Sequence, residues 1–417
     1  MSPRSSASWA KPPVPQFNTI DSASVAGKRV VVRVDLNVPM KNGKVTDYTR
    51  IERLASTVRE LADKGAKLVL MSHFGRPTKG PDPEMSLKPL AEPLSQALGR
   101  PVIFVPDCIG PQAEAVAAKL KPGEVALLEN LRFHAGEEAN DMAFAKGLAA
   151  LGDLYVDDAF STAHRAHASI DAIAALLPAY AGRLMEAELI ALGKALEKPD
   201  RPLAAVVGGS KVSSKLELLG NLSKKVDRLI IVGGMANTFL FAMGAPVGKS
   251  LCERDMAPTA LDIMKTARDG GCEFVLPIDV VVAREVKAGA AHEVVPVGQV
   301  PEDAMILDIG PASIKALDKM FGDCRTVVWN GPFGVFEVPP FDAGTNAVAN
   351  IVAKLTHKGK LVSIAGGGDT VSALGHAGVT EAFSYVSTAG GAFLEWLEGK
   401  TLPGVKALER AAAKVVA

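Results

Sequence analysis

Cysteine is scarce in this chain, whose 417 residues include only four, at positions 108, 252, 272 and 324. No two of them form a C-x-x-C pair, and a chain of this length does not depend on disulfide bonds for a stable core. We therefore expect reduced thiols and a cytoplasmic protein.

The chain also has no net charge and few aromatic residues. The chain carries 46 basic and 46 acidic residues, and aromatic residues make up only 5% of it. Nucleic-acid surfaces combine net positive charge with stacking aromatics, so we expect no nucleic-acid partner. Any anion site must therefore be built from a local cluster of basic residues.

No apolar run approaches the ~20 residues that a membrane-spanning helix needs, and the first residues lack the apolar core of a secretory signal. Residues 1–16, rich in Ser, Pro and Ala, are expected to form a disordered tail. The seven histidines match neither H-x-x-x-H nor HExxH, which predicts no zinc site. No G-x-G-x-x-G follows an opening strand, which disfavours the main alternative enzyme class, a dinucleotide-dependent dehydrogenase.

Two series of alternating strand and helix patterns fill the chain. Residues 28–35 predict a first strand, and the apolar spacing from Asp47 to Gly65 predicts a helix that leads to a second strand at residues 67–71. The remaining expected strands lie near residues 102–105, 125–128, 154–156, 203–207, 228–232, 274–276, 280–282, 326–328 and 361–364. This alternation predicts an α/β protein with doubly wound parallel sheets.

The length favours two domains. A helical pattern near residues 181–197 separates the two series and is expected to join them. We therefore expect an N-terminal domain at residues 17–182, an interdomain helix at 183–198 and a C-terminal domain at 199–401.

Basic residues gather after the strands of the first series. Ligands of open parallel sheets bind at the carboxyl ends of the strands, so these loops are the expected site. A single arginine is most often a solvated surface charge, but repetition at successive strand ends predicts an anion pocket. The polar and basic residues concerned are Arg33, Asp35, Asn37, Arg50, His73, Arg76, Arg132, His134, His164, Arg165 and His167.

Glycine-rich loops follow the strands of the second series. The segment GGSKVSSK, residues 208–215, predicts a phosphate-binding helix start, with Lys211 and Lys215 on one face if both lie on a helix. An ordinary surface pair explains these two lysines equally well. Asp369, in the segment GGGDT, is the candidate magnesium ligand. The turn before Gly390 is either a third anion-binding helix start or a simple tight turn.

Nine segments, in order, resemble the phosphoglycerate kinase family from about residue 17 to the C-terminus. They are VVVRVDLNVP, SHFGRP, LLENLRFHAGEE, DDAFSTAHRAHAS, GGSKVSSK, LDIGP, VWNGPFGVFE, GGGDT and STAGGAFLEWLEG. The resemblance implies a monomer of two Rossmann-like domains, with a C-terminal tail, residues 402–417, that packs back on the first domain. The implied substrates are 3-phosphoglycerate or 1,3-bisphosphoglycerate and ATP or ADP with Mg2+.

The resemblance also implies roles for individual residues. The phosphoglycerate contacts would be Asp35, Asn37, Arg50, His73, Arg76, Arg132 and Arg165. The nucleotide contacts would be Lys215, Gly310, Asn330, Glu337, Gly367, Gly368, Asp369 and Thr370, with Asp369 on the metal. Arg50, Lys211 and Gly390 would serve the transferring phosphoryl group.

The chain departs from the family pattern at Asp157, Asn237 and Ala389, where the family more often has asparagine, an aromatic residue and glycine. The alanine puts the backbone of the last glycine-rich turn in question. Phosphoryl transfer to or from a carboxylate needs no general base, because the carboxylate is ionised at neutral pH. The implied mechanism is therefore in-line transfer after hinge closure of the two domains, and the alternative is an inactive paralogue that only binds nucleotide or phosphate.

Overall fold

The chain forms two compact units. The computed structural model describes residues 17–78 and 80–416, so the expected tail at residues 1–16 lies outside the described residues. One unit contains the described residues up to Ile190 together with those from Thr401 onward, and the other is Ala191–Lys400. Within residues 17–78 and 80–416, no helix is long and apolar enough to cross a lipid bilayer.

The first unit is built on a parallel sheet of six strands. In order across the sheet, these strands are Val102–Val105, Val125–Leu128, Lys67–Met71, Arg29–Arg33, Leu154–Asp157 and Ala179–Ala181. The first five of these confirm the predicted strands, whereas the short strand Ala179–Ala181 was not predicted. The central strands are almost wholly buried, because helices cover both faces of such a sheet.

Helices of the first unit follow the strands. The helix Thr49–Asp63 buries Leu54 and Val58 in the same hydrophobic cluster as Val30 and Leu68 of the sheet. Gly65, with φ of +80°, follows the end of that helix, as predicted. The other α-helices are Ala91–Leu98, Pro111–Lys119, Ala135–Glu138, Met142–Ala149, Ile173–Leu176, Arg183–Leu192 and Pro403–Val416.

The C-terminal helix Pro403–Val416 packs within the first unit. It contacts the π-helix Ala168–Ala172, the helix Ile173–Leu176 and the strand Ala179–Ala181. Leu408 is 1% exposed on the packed face. The described part of this helix thus contributes to the core of the first unit.

The second unit is built on another parallel sheet of six strands. Their order is Glu273–Val275, Arg228–Ile231, Leu203–Val207, Thr326–Asn330, Val362–Gly366 and Tyr385–Ser387. Val206, Val327 and Trp329 of this sheet share a buried cluster with Phe321 and Val352 from the covering helices. The α-helices are Leu216–Leu222, Gly233–Ala242, Ala257–Asp269, Pro311–Asp323, Ala343–His357, Gly368–His376 and Gly391–Leu397.

One predicted strand of the second series lies outside the parallel sheet. Asp279–Ala283 pairs antiparallel with His292–Pro296 and Met305–Ile309 in a separate three-stranded sheet. The sequence reasoning assigned this strand to the parallel series because its apolar run looks the same in either sheet. Only eight residues separate Asp279–Ala283 from His292–Pro296, too few for the dozen or more that a parallel crossover needs, so an antiparallel pairing results.

A buried carboxylate from another loop binds the first turn of the helix Arg183–Leu192. The chain passes from one unit to the other within this helix. Asp158 Oδ1 accepts hydrogen bonds from the backbone N–H of Leu184 at 2.8 Å and of Met185 at 3.4 Å. These bonds satisfy amides that lack an intrahelical partner. Burial outweighs them and raises the pKa of Asp158 to about 7.

Asp158→Asn should remove a pH-dependent cost of folding. The carboxyl has a higher pKa in the folded protein than in the unfolded chain, so its contribution to stability is complete below pH 3.8 and is lost as the pH rises to about 7. The unfolding free energy of the wild type should therefore fall relative to the variant by up to about 1.4 kcal/mol per pH unit. Urea unfolding of both proteins across this window measures the effect, and parallel pH profiles would contradict it.

Candidate active site

Parallel pairing places the basic loops of the first unit at one edge of its sheet. Arg29–Arg33 lies between Lys67–Met71 and Leu154–Asp157, with Arg33 opposite both Met71 and Asp157 in the register. The loops that follow these three strands carry Asp35 and Asn37, His73 and Arg76, and Arg165. The loop that follows Val125–Leu128 carries Arg132.

Arg50 lies at the centre of a polar network at this edge. Its Nη1 donates to Asp35 Oδ2 at 2.8 Å and to the carbonyl oxygen of Asn37 at 2.8 Å. The Ser161 hydroxyl donates to the same Asp35 oxygen at 2.5 Å, and Asn37 Oδ1 accepts from the backbone N–H of Gly75 at 3.0 Å. A cation is unfavourable in the first turn of a helix, which favours a role for Arg50 outside helix stability.

Four further arginines bring like charges close together. Burial lowers the pKa of Arg132, as do the charges of Arg165, Arg33 and Arg76, although Glu138 opposes them at 3.0 Å. Burial, Arg76 and Arg33 likewise lower the pKa of Arg165. Mutual repulsion of this kind is relieved when an anion binds, so the charges of these loops suit the predicted anion pocket.

His73 lies beneath this pocket. It is 5% exposed, and its Nδ1 is 3.1 Å from Nη2 of the buried Arg33. Arg33 Nε in turn donates to Ser169 Oγ, which donates to the buried Glu137 at 2.6 Å. Burial and the charge of Arg33 hold the pKa of His73 well below its usual range, so His73 is neutral at physiological pH.

The departure at Asp157 lies in the same buried layer. Asp157 is 1% exposed, and its Oδ1 accepts from the backbone N–H of Ala159 at 3.1 Å. Burial raises its pKa to about 6, while Arg33 and Tyr155 act in the opposite direction. The carboxyl therefore supports the loop that leads to Arg165 and is not exposed in the pocket.

The second unit contains a cavity of about 400 Å3 beside the carboxyl ends of its sheet. Glycines from two strand-end loops line one part of it, Gly209 together with Gly233 and Gly234. Apolar side chains line another part, Leu240, Leu251, Val286, Leu307 and Phe336, and the carboxylates of Glu337 and Asp369 lie at its margin. This combination of lining groups suits a ligand in which a flat, largely apolar ring is joined to a polyphosphate.

Lys215 is held at the base of the glycine loop. Its Nζ donates to the carbonyl oxygen of Gly208 at 2.5 Å and to Asn330 Oδ1 at 2.6 Å. Asn330 Nδ2 donates to the carbonyl oxygen of Gly366 at 2.8 Å, which joins the ends of three strands. Burial lowers the pKa of Lys215 to about 8, and the charge of Asp369 opposes this shift.

Lys211 differs from Lys215 in its surroundings. The α-helix begins only at Leu216, after a 3-10 turn at Ser213–Lys215, so the two lysines do not share a helix face. Lys211 lies in the preceding loop and is exposed, whereas Lys215 folds back toward the sheet. The shared face was expected only if both lysines lay on a helix, and the helix begins after both of them.

The GGGDT loop begins the helix Gly368–His376. Gly367 has φ of +99° and leaves no room for a Cβ beside the Asn330 amide. Thr370 is 1% exposed, and its Oγ1 accepts from the backbone N–H of Gly331 at 2.7 Å. Gly368 and Asp369 are exposed at the helix start, where backbone N–H groups and the helix dipole favour an anion.

The remaining predicted residues lie at separate places in the second unit. Gly310 is buried against the Asp279 carboxylate, which occupies the space that a Cβ would need. Gly390, with φ of +57°, precedes the short helix Gly391–Leu397. Neither glycine lines the cavity, whereas Glu337 does so with an exposed carboxylate.

The other two departures are accommodated locally. Ala389 is buried, and its backbone N–H donates to Ser387 Oγ at 3.2 Å. The positive φ of this turn falls on Gly390, so the alanine carries no backbone strain. Asn237 lines the cavity and donates from Nδ2 to the carbonyl oxygen of Leu251 at 3.1 Å.

Asp369 fits a hard divalent cation. Its carboxylate is exposed beside the cavity. It lies close enough to Lys215 for its charge to oppose the effect of burial, which lowers the pKa of that lysine. Mg2+ is commonly held by one or two carboxylates together with phosphate oxygens and water. The donor set is therefore suited to magnesium that arrives with a nucleotide.

Several residues of the site carried no signal in the sequence. Ser161 and Glu137 support Asp35 and Arg33 through hydrogen bonds that only the folded chain brings together. Leu251 and Val286 line the cavity from loops outside the glycine-rich segments GGSKVSSK and GGGDT. Glu137 lies within the quoted segment LLENLRFHAGEE, but nothing in that segment indicates that its side chain is buried.

The structure defines an α/β protein with repelling arginines after the strands of one unit and a glycine-lined cavity in the other. The profile described as "Phosphoglycerate kinase" matches residues 20–400 of the chain. The chain therefore belongs to the phosphoglycerate kinase family, and the resemblance noted in the sequence is confirmed.

Named relatives cover nearly the whole chain. The phosphoglycerate kinase of Methylorubrum extorquens strain PA1 is 62% identical over 94% of this chain and 98% of its own length. That of Rhodospirillum centenum is 62% identical over 94% of this chain and 99% of its own.

Solved structures of the family have the same fold. The structure of phosphoglycerate kinase from Coxiella burnetii matches with a TM-score of 0.88 and 44% identity, over 95% of this chain and 100% of that one. The enzyme from Pyrococcus horikoshii OT3 matches with a TM-score of 0.80 and 30% identity, also over 95% and 100%. The predicted α/β fold class is confirmed.

Gly208→Ala should destabilise the second unit. A Cβ at this position would lie 2.6 Å from the carbonyl oxygen of Pro332 and 2.9 Å from the carbonyl carbon of Gly331, which are backbone atoms that cannot rotate away. We expect a loss of about 1–3 kcal/mol in unfolding free energy, measured by urea denaturation.

Gly220→Ala is the matched control. Gly220 lies inside the helix Leu216–Leu222, and a Cβ there meets nothing within 4 Å. Alanine should be neutral or stabilising there by up to about 1 kcal/mol, because it is the better helix former. Equal unfolding free energies for the two variants would contradict this prediction. They would show that the backbone at Gly208 and Gly331 can move apart without loss of stability.

Proposed function

We propose that this chain catalyses the reversible, Mg2+-dependent transfer of a phosphoryl group between 1,3-bisphosphoglycerate with ADP and 3-phosphoglycerate with ATP. Its membership of the phosphoglycerate kinase family and the names of its relatives support this reaction. The observation that carries the proposal at the level of chemistry is the cluster of mutually repelling guanidinium groups in the first unit.

The phosphoglycerate would bind at the anion pocket of the first unit. Guanidinium forks match the oxygens of phosphate and carboxylate, and the permanent charge of arginine keeps the pocket cationic at any working pH. Asp35 and Asn37 would orient Arg50 and accept from the substrate hydroxyl group. The proposed contacts are Asp35, Asn37, Arg50, His73, Arg76, Arg132 and Arg165, with His73 acting through the buried Arg33 network.

The nucleotide would bind in the cavity of the second unit. Its base would lie against the apolar wall near Leu251 and Val286, and Glu337 would accept from the ribose hydroxyl groups. Lys215 and the start of the helix Gly368–His376 would hold the phosphates. Gly310, Asn330, Gly367, Gly368 and Thr370 would shape this site, and Asp369 would hold Mg2+, which supplies positive charge that neutralises the phosphate oxygens.

The chemical step needs charge neutralisation and alignment. The acceptor is a carboxylate that is already ionised, so no general base has to remove a proton. Burial lowers the pKa of His164 and lowers that of His167 to about 4, so the positive charge beside the substrate would come from the arginines. Arg50, Lys211 and the backbone at Gly390 would stabilise charge on the transferring group.

Three further features belong to the same proposal. Hinge closure remains a prediction from the sequence, made because phosphoglycerate and nucleotide contacts fall in different halves of the chain. A monomeric state is implied by the family resemblance. A cytoplasmic location is supported by the four cysteines, all of which are unpaired thiols.

Arg50→Ala should lower kcat by roughly 10²-fold or more, the scale for the loss of one preorganised group that stabilises a transition state. The measurement is ADP formation from MgATP, coupled so that it depends on added 3-phosphoglycerate. The absence of that activity in folded wild-type protein would instead support the paralogue that only binds ligands.

Arg59→Ala is the control for Arg50, because Arg59 lies on the same helix and donates to the carbonyl oxygen of Ala97, away from the anion pocket. Its kcat should match the wild type. If Arg50→Ala raised only KM and left kcat unchanged, Arg50 would act in binding and not in the transition state.

Affinity for MgADP should fall as the pH rises above about 8. The pKa of Lys215 is about 8 in the free protein, so its ammonium group is lost above that pH. A bound polyphosphate favours the charged form, so affinity should fall roughly tenfold for each pH unit above this pKa. Isothermal titration calorimetry on both sides of this pKa measures the change.

Lys215→Arg separates this titration from other effects of pH, because the guanidinium group stays charged throughout the range. The variant should bind MgADP more weakly than the wild type, since Nζ is closely held, but with a flat pH profile. A wild-type profile as flat as that of the variant would refute the assignment of the titration to Lys215.

A further inference from the structure

Three residues with metal-binding side chains meet at the outer part of the sheet in the first unit. Asp107 and Cys108 follow the edge strand Val102–Val105, and His134 follows Val125–Leu128 and a 3-10 turn. These two strands are paired in parallel, with Val105 opposite Leu128. Their carboxyl ends therefore bring the two loops together, although 26 positions separate Cys108 from His134 in the sequence.

The donor atoms are close enough to share one ion. Asp107 Oδ1 lies 2.7 Å from His134 Nε2, and the donor atoms of Asp107, Cys108 and His134 all lie within 4.8 Å of one another. Ligands of one tetrahedral zinc ion, at bond lengths of about 2.0–2.3 Å, stand roughly 3–4 Å apart. Shifts on the order of 1 Å would therefore bring the three atoms into a single coordination shell.

The thiol lies beside an acidic group. Cys108 is fully buried, and its backbone N–H donates to Asp107 Oδ1 at 2.6 Å. A carboxylate beside a sulfur would stabilise a divalent ion bound to both.

The cluster is open to solvent on one side, and the His134 ring is held in place by a neighbouring aromatic ring. The side chains of Asp107 and His134 are 46% and 31% exposed, which leaves one side open for entry and for a water ligand. The His134 ring stacks on Phe144 at 5.2 Å between centroids, which limits its rotation. Ligands oriented by such contacts hold a metal more tightly than free ones.

We propose that Asp107, Cys108 and His134 bind one thiophilic divalent cation of the Zn2+ type, with water as the fourth ligand. On binding, the thiol proton of Cys108 passes to solvent, and the proton that His134 Nε2 shares with Asp107 moves through solvent to Nδ1. The hydrogen bond between Asp107 and His134 is then replaced by two bonds to the metal. This site differs from the proposed magnesium position at Asp369, which offers only oxygen. It does not depend on the proposed phosphoryl transfer.

Spacing within the sequence could not reveal this site. The absence of paired-histidine motifs predicted no zinc site, but such motifs contain only ligands that are neighbours along a helix or a loop. The ligands here come from two loops that become adjacent through strand pairing.

The test is a titration of the full-length protein with Co2+, used as a spectroscopic substitute for Zn2+, without nucleotide. We expect a thiolate-to-cobalt charge-transfer band that saturates at one equivalent and is abolished by one equivalent of Zn2+. His134→Gln should weaken Co2+ binding at least tenfold, and Cys108→Ala should abolish the band. Absence of the band in the wild type would overturn the proposal.

Cys252→Ala is the matched control, because this thiol is only partly buried and lies outside the cluster. It should keep the band at full strength, and a band that survived in Cys108→Ala would overturn the proposal. If Cys108→Ala fails to fold, Asp107→Asn, at a half-exposed side chain, should still weaken binding at least tenfold. Cobalt bound at Asp369 gives no thiolate band, so the outcome is independent of transferase activity.

Discussion

Parallel strand pairing is the constraint on which both candidate sites depend. In each sheet of six strands it places every carboxyl end at one edge, so loops distant in sequence meet there. In the first unit this brings Arg165 close enough to Arg132 for its charge to lower the pKa of Arg132. The sheet, with its buried apolar strands, supplies the stability that holds these repelling charges together, and the proposed anionic substrate would relieve the repulsion.

The candidate site of the second unit depends on backbone segments that lie close together, whereas that of the first unit depends on charged side chains. Gly208 and Gly331 lie so close that a Cβ on either would meet backbone atoms of the neighbouring loop. This proximity lets Lys215 reach the carbonyl of Gly208 and Asn330 together, and the resulting burial lowers the pKa of the lysine to about 8. A desolvated ammonium group gains more from a phosphate than a solvated one, because little water remains to be displaced.

The sequence could predict those elements whose local pattern and tertiary surroundings agree. The strand at residues 102–105 and the helix that ends near Gly65 lie where apolar spacing and glycine predicted them. The strands Ala179–Ala181 and Tyr385–Ser387 are too short to show a period, and the antiparallel sheet depends on pairing partners that no local pattern specifies. Charged loop residues were predictable from strand ends, whereas Ser161 and Glu137 take their roles from contacts formed only on folding.

Buried acids and bases follow from the same architecture. Loops at the carboxyl edge must satisfy their backbone N–H groups away from water, and Asp157, Asp158 and Glu137 do so by accepting from them. Burial raises the pKa of each of these carboxyl groups. The charge of Arg33 lowers the pKa of Glu137 and of Asp157 and so opposes part of the effect of burial. Arg33 therefore links the buried carboxyl groups that support the loops to the arginines of the anion pocket. A substitution beneath the pocket should therefore affect anion binding without touching the ligand.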